Sequence, residues 1–403
     1  TATIPVNRNG SKLVGANPTG LALSQDGKRL YVTNSGHNEV AVINAATRKV
    51  IGDIPTGWYP TQVLAHDGKL SITSAKGLGA GPNNGPGHPN PTDPRDTAEN
   101  QYSGSMIKGL LSTVSEPDAA TLAKLTATVE KNNTANDPAR SSAVPNQIGT
   151  TSSKIKHVIY IVRENRTFDQ ELGSNGRGNA DPSLNLFGEE SAPNTRALAR
   201  QFTTFDNFYA DAEVSANGWN WVSQANSNPW SEEMWPSNYS GRGAPYPAES
   251  NDPDSRAKEH DSYFWEHLSK NNISFRNYGF YTTLDKKGKA HGVDKKILDP
   301  NTDHDFIGWS LDCPDSARSF APMAKNCGPK SRVDEWKSDF NKQLAKGSVP
   351  TVQLVRFGND HTQATKVGVP TPQAYVADND QAIGQLVETV SHSPIWKDTA
   401  IFL

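Results

Sequence analysis

The chain has few cysteines, no large excess of either charge and no long apolar run, and each of these absences excludes a class of protein. It has 40 lysines and arginines against 43 acidic residues, for a formal net charge of −3. No basic surplus therefore favours nucleic acid as a partner. The mean hydropathy is −0.66, and no apolar run approaches the roughly 20 residues of a membrane-spanning helix. The sequence predicts neither nucleic-acid binding nor a transmembrane segment.

Cys313 and Cys327 are the two cysteines of the 403-residue chain, and they flank a short polar loop. Closing a loop of this size with a disulfide would stabilise the fold by about 3 kcal/mol in the chain-entropy model. We predict this local disulfide and hence an oxidising compartment, with two free thiols as the alternative. The sequence from Thr1 onward does not have the pattern of a signal peptide, as expected of a mature secreted or periplasmic protein or of a fragment.

The first hundred residues contain an internal repeat. The string that begins at Pro18 returns at Pro60, and the turn Asp26-Gly27 returns as Asp67-Gly68. A period near 40 residues, built of short strands and Asp-Gly turns, is typical of a β-propeller blade. The string Tyr31–Asn34 also resembles the YVTN type of propeller repeat. We therefore predict partial propeller blades at the start of the chain, with a small irregular β module as the alternative.

The chain divides into stretches of different composition. We expect 1–116 to form the C-terminal blades of a propeller, and 117–153 to form a helix and a linker. About two blades are visible, whereas a closed propeller needs about four to eight, so missing blades or a partner chain would complete the ring. Over 154–403, strands alternate with helices, which predicts a multidomain protein whose second part is an α/β domain with a mainly parallel sheet.

The most informative segment is 155–169, where an apolar, β-branched run of strand length ends on Glu164 and Asn165. In open α/β sheets, ligands bind outside the carboxyl ends of the strands. The oxygen atoms of these two side chains suit Mg, Ca or Mn, and carboxylates also bind Zn. The residues alone leave open a core strand followed by a polar turn.

The string Glu-Asn-Arg-Thr-Phe-Asp at 164–169, placed after an apolar strand, resembles the opening of the bacterial phosphoesterase family. That family includes phospholipase C-type enzymes and an acid phosphatase, and it belongs to the alkaline phosphatase superfamily. The resemblance implies an alkaline-phosphatase-like domain over 154–403 and a metal-dependent hydrolase. It also implies that Glu164, Asn165 and Ser215 bind the metal.

Ser215 follows a strand-like stretch and precedes a helix-compatible one. A hydroxyl at a helix N-terminus lies where the dipole and the free N–H groups favour an anion. From the residues alone an N-cap serine is the more ordinary interpretation. The resemblance implies instead that Ser215 is the catalytic nucleophile.

A third motif, Asn359-Asp360-His361-Thr362, follows another predicted strand. His361 could bind a metal, steady a phosphate or protonate a leaving group. The resemblance supports an active-site role for this string, with His361 catalytic and Asn359 and Asp360 binding substrate. Arg166 is a candidate phosphate partner, and a surface ion pair is the alternative.

The family's pattern departs from this sequence at its end. In the family, the strand that begins like 397–402 continues into an acidic pair and an Asp-His that complete the metal site. The chain stops at Leu403, before these residues. We therefore expect a match that is truncated at both ends.

Together these observations predict a secreted or periplasmic phosphoesterase that hydrolyses phosphomono- or phosphodiesters through a phosphoserine intermediate. Its divalent ions would be Zn, Ca, Mg or Mn. The alternative is a catalytically incomplete surface or binding protein that uses its propeller to recognise a partner.

Overall fold

The structure is a computed structural model, and it describes residues 3–6, 15–79, 107–134, 154–225, 227–249, 263–316 and 327–403. Contacts divide the chain into two compact units. One comprises 1–147 with 228–244, and the other comprises 148–227 with 245–403. The segment 228–244 groups with the first unit although it is remote from it in sequence, and no pattern in the sequence indicates this. Most of the predicted linker, 135–153, lies outside the described residues.

The first unit is built of antiparallel strands, as the repeat predicts. A four-stranded sheet has the order β1-β2-β3-β4, and a three-stranded sheet has the order β5-β6-β7. The strands are β1 Pro18–Leu23, β2 Arg29–Asn34, β3 Glu39–Asn44, β4 Lys49–Pro55, β5 Trp58–His66, β6 Lys69–Gly77 and β7 Leu110–Ser115. A short 3₁₀ turn, Ser35–His37, joins β2 to β3. The antiparallel strands are confirmed, whereas their membership of a propeller stays a prediction.

The Asp-Gly turns of the repeat have the backbone that their residues favour. Asp67 and Gly68, between β5 and β6, both have positive φ, at 48° and 64°. Two successive residues with positive φ make the tight hairpin turn that matches the twist of the flanking strands. At Asp26-Gly27, between β1 and β2, only the glycine has positive φ, at 70°, but this pair too lies between two neighbouring antiparallel strands.

The core of the first unit lies between its strands and a helix, α1 (Ala119–Thr134). Tyr31, Val42 and Ile72 are buried there together with Leu122 of α1. The helix lies against β4, and the Thr126 hydroxyl accepts a hydrogen bond of 2.9 Å from the Asp53 backbone N–H. A further helix, Pro229–Tyr239, belongs to the same unit.

The second unit contains a four-stranded parallel sheet of order β13-β8-β12-β9. Its strands are β8 His157–Val162, β9 Phe275–Tyr278, β12 Val352–Arg356 and β13 Thr399–Phe402, and β10 Thr282–Leu284 pairs with β11 Ala290–Gly292 in a separate hairpin. The α-helices are α2 Phe168–Leu172, α3 Pro193–Gln201, α4 Ser215–Gln224, α5 Phe264–Lys270, α6 Arg332–Ala345 and α7 Pro372–Ser391. The predicted mainly parallel sheet is confirmed.

The hydrophobic core of this unit joins the sheet to its two longest helices. Ile161 of β8 and Val355 of β12 are buried against Trp336 of α6 and Leu386 of α7. This packing fixes the two central strands and hence the positions of the residues that follow them.

The stretch 202–214 before α4 is a loop, although the sequence predicts a strand there. Its aromatic side chains are not buried, since Phe208 is 85% and Tyr209 77% exposed. Asp206 instead accepts a hydrogen bond of 2.6 Å from the Asn179 backbone N–H. The apolar residues of this stretch thus have no sheet to pack on, and the prediction of a strand was wrong.

In the described part of the chain, no helix is both long and apolar enough to cross a membrane.

Candidate functional site

Two of the three sequence motifs emerge at the same edge of the parallel sheet. Strands β8 and β12 are neighbours, and Val162 pairs with Arg356 at their carboxyl ends. Glu164 follows β8 within two residues, and the 3₁₀ turn Asn359–His361 follows β12. The carboxyl edge of adjacent parallel strands is where open α/β sheets bind ligands.

Arg356, the last residue of β12, organises this edge. Its guanidinium, with only 5% of the side chain exposed, forms ion pairs with Glu164 and Glu249. It also lies between two indole rings, 4.2 Å from the centroid of Trp219 and 4.3 Å from that of Trp309. We call these five residues the Arg356 cluster. Because the cation is held on both faces and by two carboxylates, it fixes the Glu164 side chain in place.

Burial raises the pKa of Glu249, while the positive charge of Arg356 opposes the rise. Glu249 lies 107 positions before Arg356 in the chain, so no local pattern links the two. Asn165, the second predicted metal ligand, is exposed to solvent next to Glu164. The cluster therefore fixes one predicted ligand and leaves its neighbour accessible.

Arg166 joins the first motif to the third. Its guanidinium donates to the backbone oxygens of Asp360 and His361 at 2.9 and 2.8 Å, and to the Thr362 hydroxyl at 3.0 Å. The same group lies 5.3 Å from the centroid of the Phe187 ring. Arg166 thus holds the turn after β12 against the segment after β8.

His361 is half-buried, and its ring nitrogen Nδ1 lies 2.8 Å from the Thr362 carbonyl oxygen. Since a carbonyl can only accept, Nδ1 carries the proton of this hydrogen bond and the neutral ring presents a lone pair at Nε2. The ring also packs edge-on against Trp309, with centroids 5.0 Å apart. His361 therefore contacts the Arg356 cluster through a shared indole.

Asn359 and Asp360 face the interior. The Asn359 amide donates to the Cys313 carbonyl at 3.0 Å and to the Asp378 carboxylate at 2.7 Å. Asp360 is 2% exposed, and Arg163 lies 3.6 Å from its carboxylate. Burial raises the pKa of Asp360 well above its usual range, against the effect of Arg163. Within the described residues, Oδ1 of each side chain has no hydrogen-bond partner.

Ser215 is the first residue of α4 and is half-buried. The N-cap is Val214 rather than the serine, so the capping role that the residues alone suggest does not apply. Trp219 lies one turn further along the same helix, and residues four apart share a helix face. The face of α4 that carries Ser215 is therefore the face that meets Arg356.

Cys313 and Cys327 form a disulfide across a sequence separation of 14 residues. The Cys313 carbonyl accepts hydrogen bonds from Arg332 at 3.0 Å and from the Asn359 amide at 3.0 Å. The disulfide loop is thereby tied to the turn that carries His361.

Sequence reasoning missed a buried polar network beneath this turn. Arg332 donates to Asp315 at 2.7 Å, and Asp315 accepts from the Asn359 backbone N–H at 2.8 Å. Asp378 of α7 accepts from the backbone N–H groups of Asp315 and Ser316 at 2.7 and 3.0 Å. The signal was the run Asp378-Asn-Asp in α7, three successive polar residues within a long helix whose other buried residues are mostly apolar.

The pKa of Asp378 is raised to about 6 by burial and by the neighbouring charge of Asp315. This carboxyl therefore stays protonated to a higher pH than an ordinary aspartate.

Two groups of described side chains have ligand atoms close enough to hold a metal ion, and neither is the predicted set. One consists of His291, Asp299 and His304, and the other of Asp303, Asp305 and Glu335. In the second group each carboxylate has a cationic partner of its own. These partners are Arg276 for Asp303, Lys289 for Asp305 and Lys330 for Glu335. Ion pairing therefore accounts for the acidic group without a metal.

Neither a protein-family model nor a curated protein matches the chain. Among solved structures it is similar to hydrazine synthase of Kuenenia stuttgartiensis, with a TM-score of 0.15 and 24% sequence identity. The similarity covers 18% of this chain and 21% of that one. The chain thus spans about a fifth of that relative, and a similarity of this size supports no statement about fold or function.

Proposed function

We propose that the chain is a metal-dependent phosphoesterase that hydrolyses phosphomono- or phosphodiesters through a phosphoserine intermediate on Ser215. The observation that carries the proposal is the convergence of two polar motifs at the carboxyl ends of β8 and β12. There Arg356 holds Glu164, and Arg166 holds the His361 turn. Phosphoryl transfer depends mainly on such positioning and on charge neutralisation.

The position of Ser215 supports its role as nucleophile. The first turn of a helix has N–H groups without partners in the helix, and together with the helix dipole they favour a phosphate anion. The serine oxygen would attack phosphorus as the alcohol leaves, and water would then hydrolyse the phosphoserine. His361 would accept the Ser215 proton at Nε2, the nitrogen not used in its bond to Thr362, and would then give that proton to the leaving oxygen.

Glu164, Asn165 and Ser215 each offer an oxygen donor, the kind of ligand that a hard divalent ion prefers. Arg356 bonds to Oε1 of Glu164, and the carboxylate has a second oxygen to offer. Asn165 is open to solvent. When bound, Zn, Ca, Mg or Mn would help to deprotonate the serine and neutralise charge on the phosphate.

The same proposal includes propeller blades in the first unit and a secreted or periplasmic location for the protein. Antiparallel sheets with a repeated Asp-Gly turn support propeller blades. The disulfide between Cys313 and Cys327 supports a secreted or periplasmic location, since disulfides persist in oxidising compartments.

The test compares Ser215→Ala with a matched serine variant. The full-length protein would be assayed on p-nitrophenyl phosphate and bis(p-nitrophenyl) phosphate, with each of the four ions in turn. We expect Ser215→Ala to lose at least about 10³-fold in kcat, as removal of a nucleophile does elsewhere. Ser269→Ala, at an exposed position of α5, should keep the wild-type rate. Equal rates for the two variants would overturn the proposal.

A further inference from the structure

Two histidines and an aspartate come together in the second unit, and they belong to neither the Arg356 cluster nor the turn after β12. His291 lies on β11, Asp299 begins the 3₁₀ turn Asp299–Asn301, and His304 follows that turn. Their ligand atoms all lie within 4.8 Å of one another. The two imidazole rings have centroids 4.5 Å apart.

His304 is held so that one ring nitrogen remains available. Its Nδ1 lies 2.6 Å from the Ala290 carbonyl oxygen, and the Ala290 N–H donates to the His304 carbonyl at 3.0 Å. Because the carbonyl can only accept, Nδ1 carries the proton and Nε2 presents a lone pair. Metal-binding histidines are commonly oriented by such a hydrogen bond from the other ring nitrogen to a carbonyl.

Asp299 is fixed against β11 in the same way. Its Oδ1 accepts from the Gly292 N–H at 2.8 Å and lies 3.2 Å from Nδ1 of His291. A Cβ on residue 292 would lie 2.8 Å from the Asp299 backbone nitrogen. Only glycine therefore lets β11 approach the 3₁₀ turn this closely, and the approach is what unites the three side chains.

The charged neighbours of His291, Asp299 and His304 differ from those of the acidic group Asp303, Asp305 and Glu335. Asp285 lies 3.7 Å from Nε2 of His291, the ring nitrogen that does not face Asp299, and adds a second carboxylate beside this histidine. Lys295 lies 3.9 Å from Asp299, at the outer limit of an ion pair, and it also donates to the Gly292 carbonyl at 2.8 Å. His304 is exposed, so solvent reaches the group.

We propose that His291, Asp299 and His304 bind a divalent transition-metal ion of the Zn²⁺ class, with the remaining position open to water. Two imidazoles and one carboxylate form a donor set that suits Zn²⁺ and its neighbours better than Ca²⁺ or Mg²⁺, which prefer oxygen. The bound ion would join the β10–β11 hairpin to the segment 299–304.

The first test is a titration with zinc alone. The metal-stripped full-length protein would compete with a chelating dye for Zn²⁺, followed by absorbance. We expect His291→Ala and His304→Ala each to weaken zinc binding by at least about tenfold, the loss that even a supporting group can cause. His392→Ala, which removes an exposed histidine at the end of α7, should leave the affinity unchanged.

The site is distinguishable from the one proposed for catalysis. Ser215→Ala and Glu164→Gln should leave zinc binding at His291 and His304 intact, and excess Ca²⁺ or Mg²⁺ should not displace it. Unchanged zinc affinity in both histidine variants would overturn the proposal, whatever the phosphatase activity.

A second measurement on the wild-type protein avoids any question of folding in variants. Histidines would be modified with diethyl pyrocarbonate with and without Zn²⁺, and the products mapped by mass spectrometry. Protection of His291 and His304, but not of His392, is the expected result. Equal modification of all three with and without zinc would contradict the proposal.

Discussion

At the scale of single residues, the carboxyl edge of the parallel sheet depends on one buried cation. Arg356 is the partner of both Glu164 and Glu249, and both carboxylates are largely buried, with side chains 13% and 15% exposed. A buried ion pair adds little net stability over apolar packing, but removal of one partner leaves an uncompensated charge. The cluster is therefore much more sensitive to single than to concerted substitution.

We predict that Arg356→Met lowers the free energy of unfolding by about 3–5 kcal/mol, because two carboxylates lose their cation in a buried site. The triple variant Arg356→Met with Glu164→Gln and Glu249→Gln should recover much of this loss. Denaturant unfolding of the three proteins measures the effect. Arg242→Met, at an exposed position, is the control, and a loss below about 1 kcal/mol for Arg356→Met would show that the pairs are unimportant.

Asp378 predicts a pH dependence whose sign follows from its raised pKa. The folded protein holds this proton up to a pH of about 6, whereas an unfolded aspartate releases it near about 4. Its contribution to stability is therefore complete below about pH 4 and is lost as the pH rises through about 6.

The stability lost as the Asp378 carboxyl ionises amounts to about 1–3 kcal/mol of the free energy of unfolding. Asp378→Asn, which cannot titrate, should show a flatter pH profile of unfolding over this interval than the wild-type protein. Parallel profiles for the two proteins between pH 4 and pH 7 would contradict the assignment.

At the scale of elements, the local sequence pattern predicted strands and turns correctly where the segment packs against a neighbouring strand. The Asp-Gly hairpin turn at Asp67 and the apolar strand 157–162 form as expected, since turn chemistry and burial agree there. The stretch 202–214 also carries several apolar residues but remains a loop, because its aromatic side chains have no sheet to pack on. Periodicity cannot distinguish these two cases, since what decides is whether a neighbouring strand exists.

The disulfide predicts a second effect at this scale. Cys313→Ala with Cys327→Ala should destabilise the protein by about 3 kcal/mol, the chain-entropy contribution of a loop of this size. Since the Cys313 carbonyl accepts from Asn359, amide hydrogen exchange of the turn 359–362 should also rise.

The control is the response to reductant. The double variant should be insensitive to it, and the wild-type protein should approach the variant's stability when reduced. A wild-type stability unaffected by reduction would rule out a structural role for the bond.

At the scale of the whole molecule, the chain forms two units, and each has its own core. Leu122, 3% exposed, belongs to the first core, and Leu386, fully buried, belongs to the second. The two cores share no residue. A substitution that destabilises one core should therefore increase local unfolding first in the strands that pack on that core.

Leu122→Ala should therefore cost about 2–5 kcal/mol and speed amide exchange in β2, β3 and β6, while exchange in β8 and β12 stays unchanged. Leu386→Ala should give the opposite pattern. The control is Leu78→Ala, at a residue 84% exposed. Faster exchange throughout the chain in each variant would show instead that the two cores melt together.

How much of the site could be predicted depends on the distance along the chain over which its parts interact. The motifs at Glu164 and His361 could be located from sequence, because each directly follows an apolar strand. The pairing of Arg356 with Glu249 and the polar network of Asp315, Arg332 and Asp378 could not, since these contacts join distant segments. Burial, which makes those contacts important, exists only once the chain has folded.

A phosphoserine mechanism is tested by identifying the residue that carries phosphate during turnover. The full-length protein would be mixed with p-nitrophenyl phosphate and divalent metal, quenched in acid and digested for mass spectrometry. We expect one phosphoryl group on the peptide that contains Ser215 and none in Ser215→Ala. Turnover with phosphate on another residue, or turnover that persists in Ser215→Ala, would contradict it.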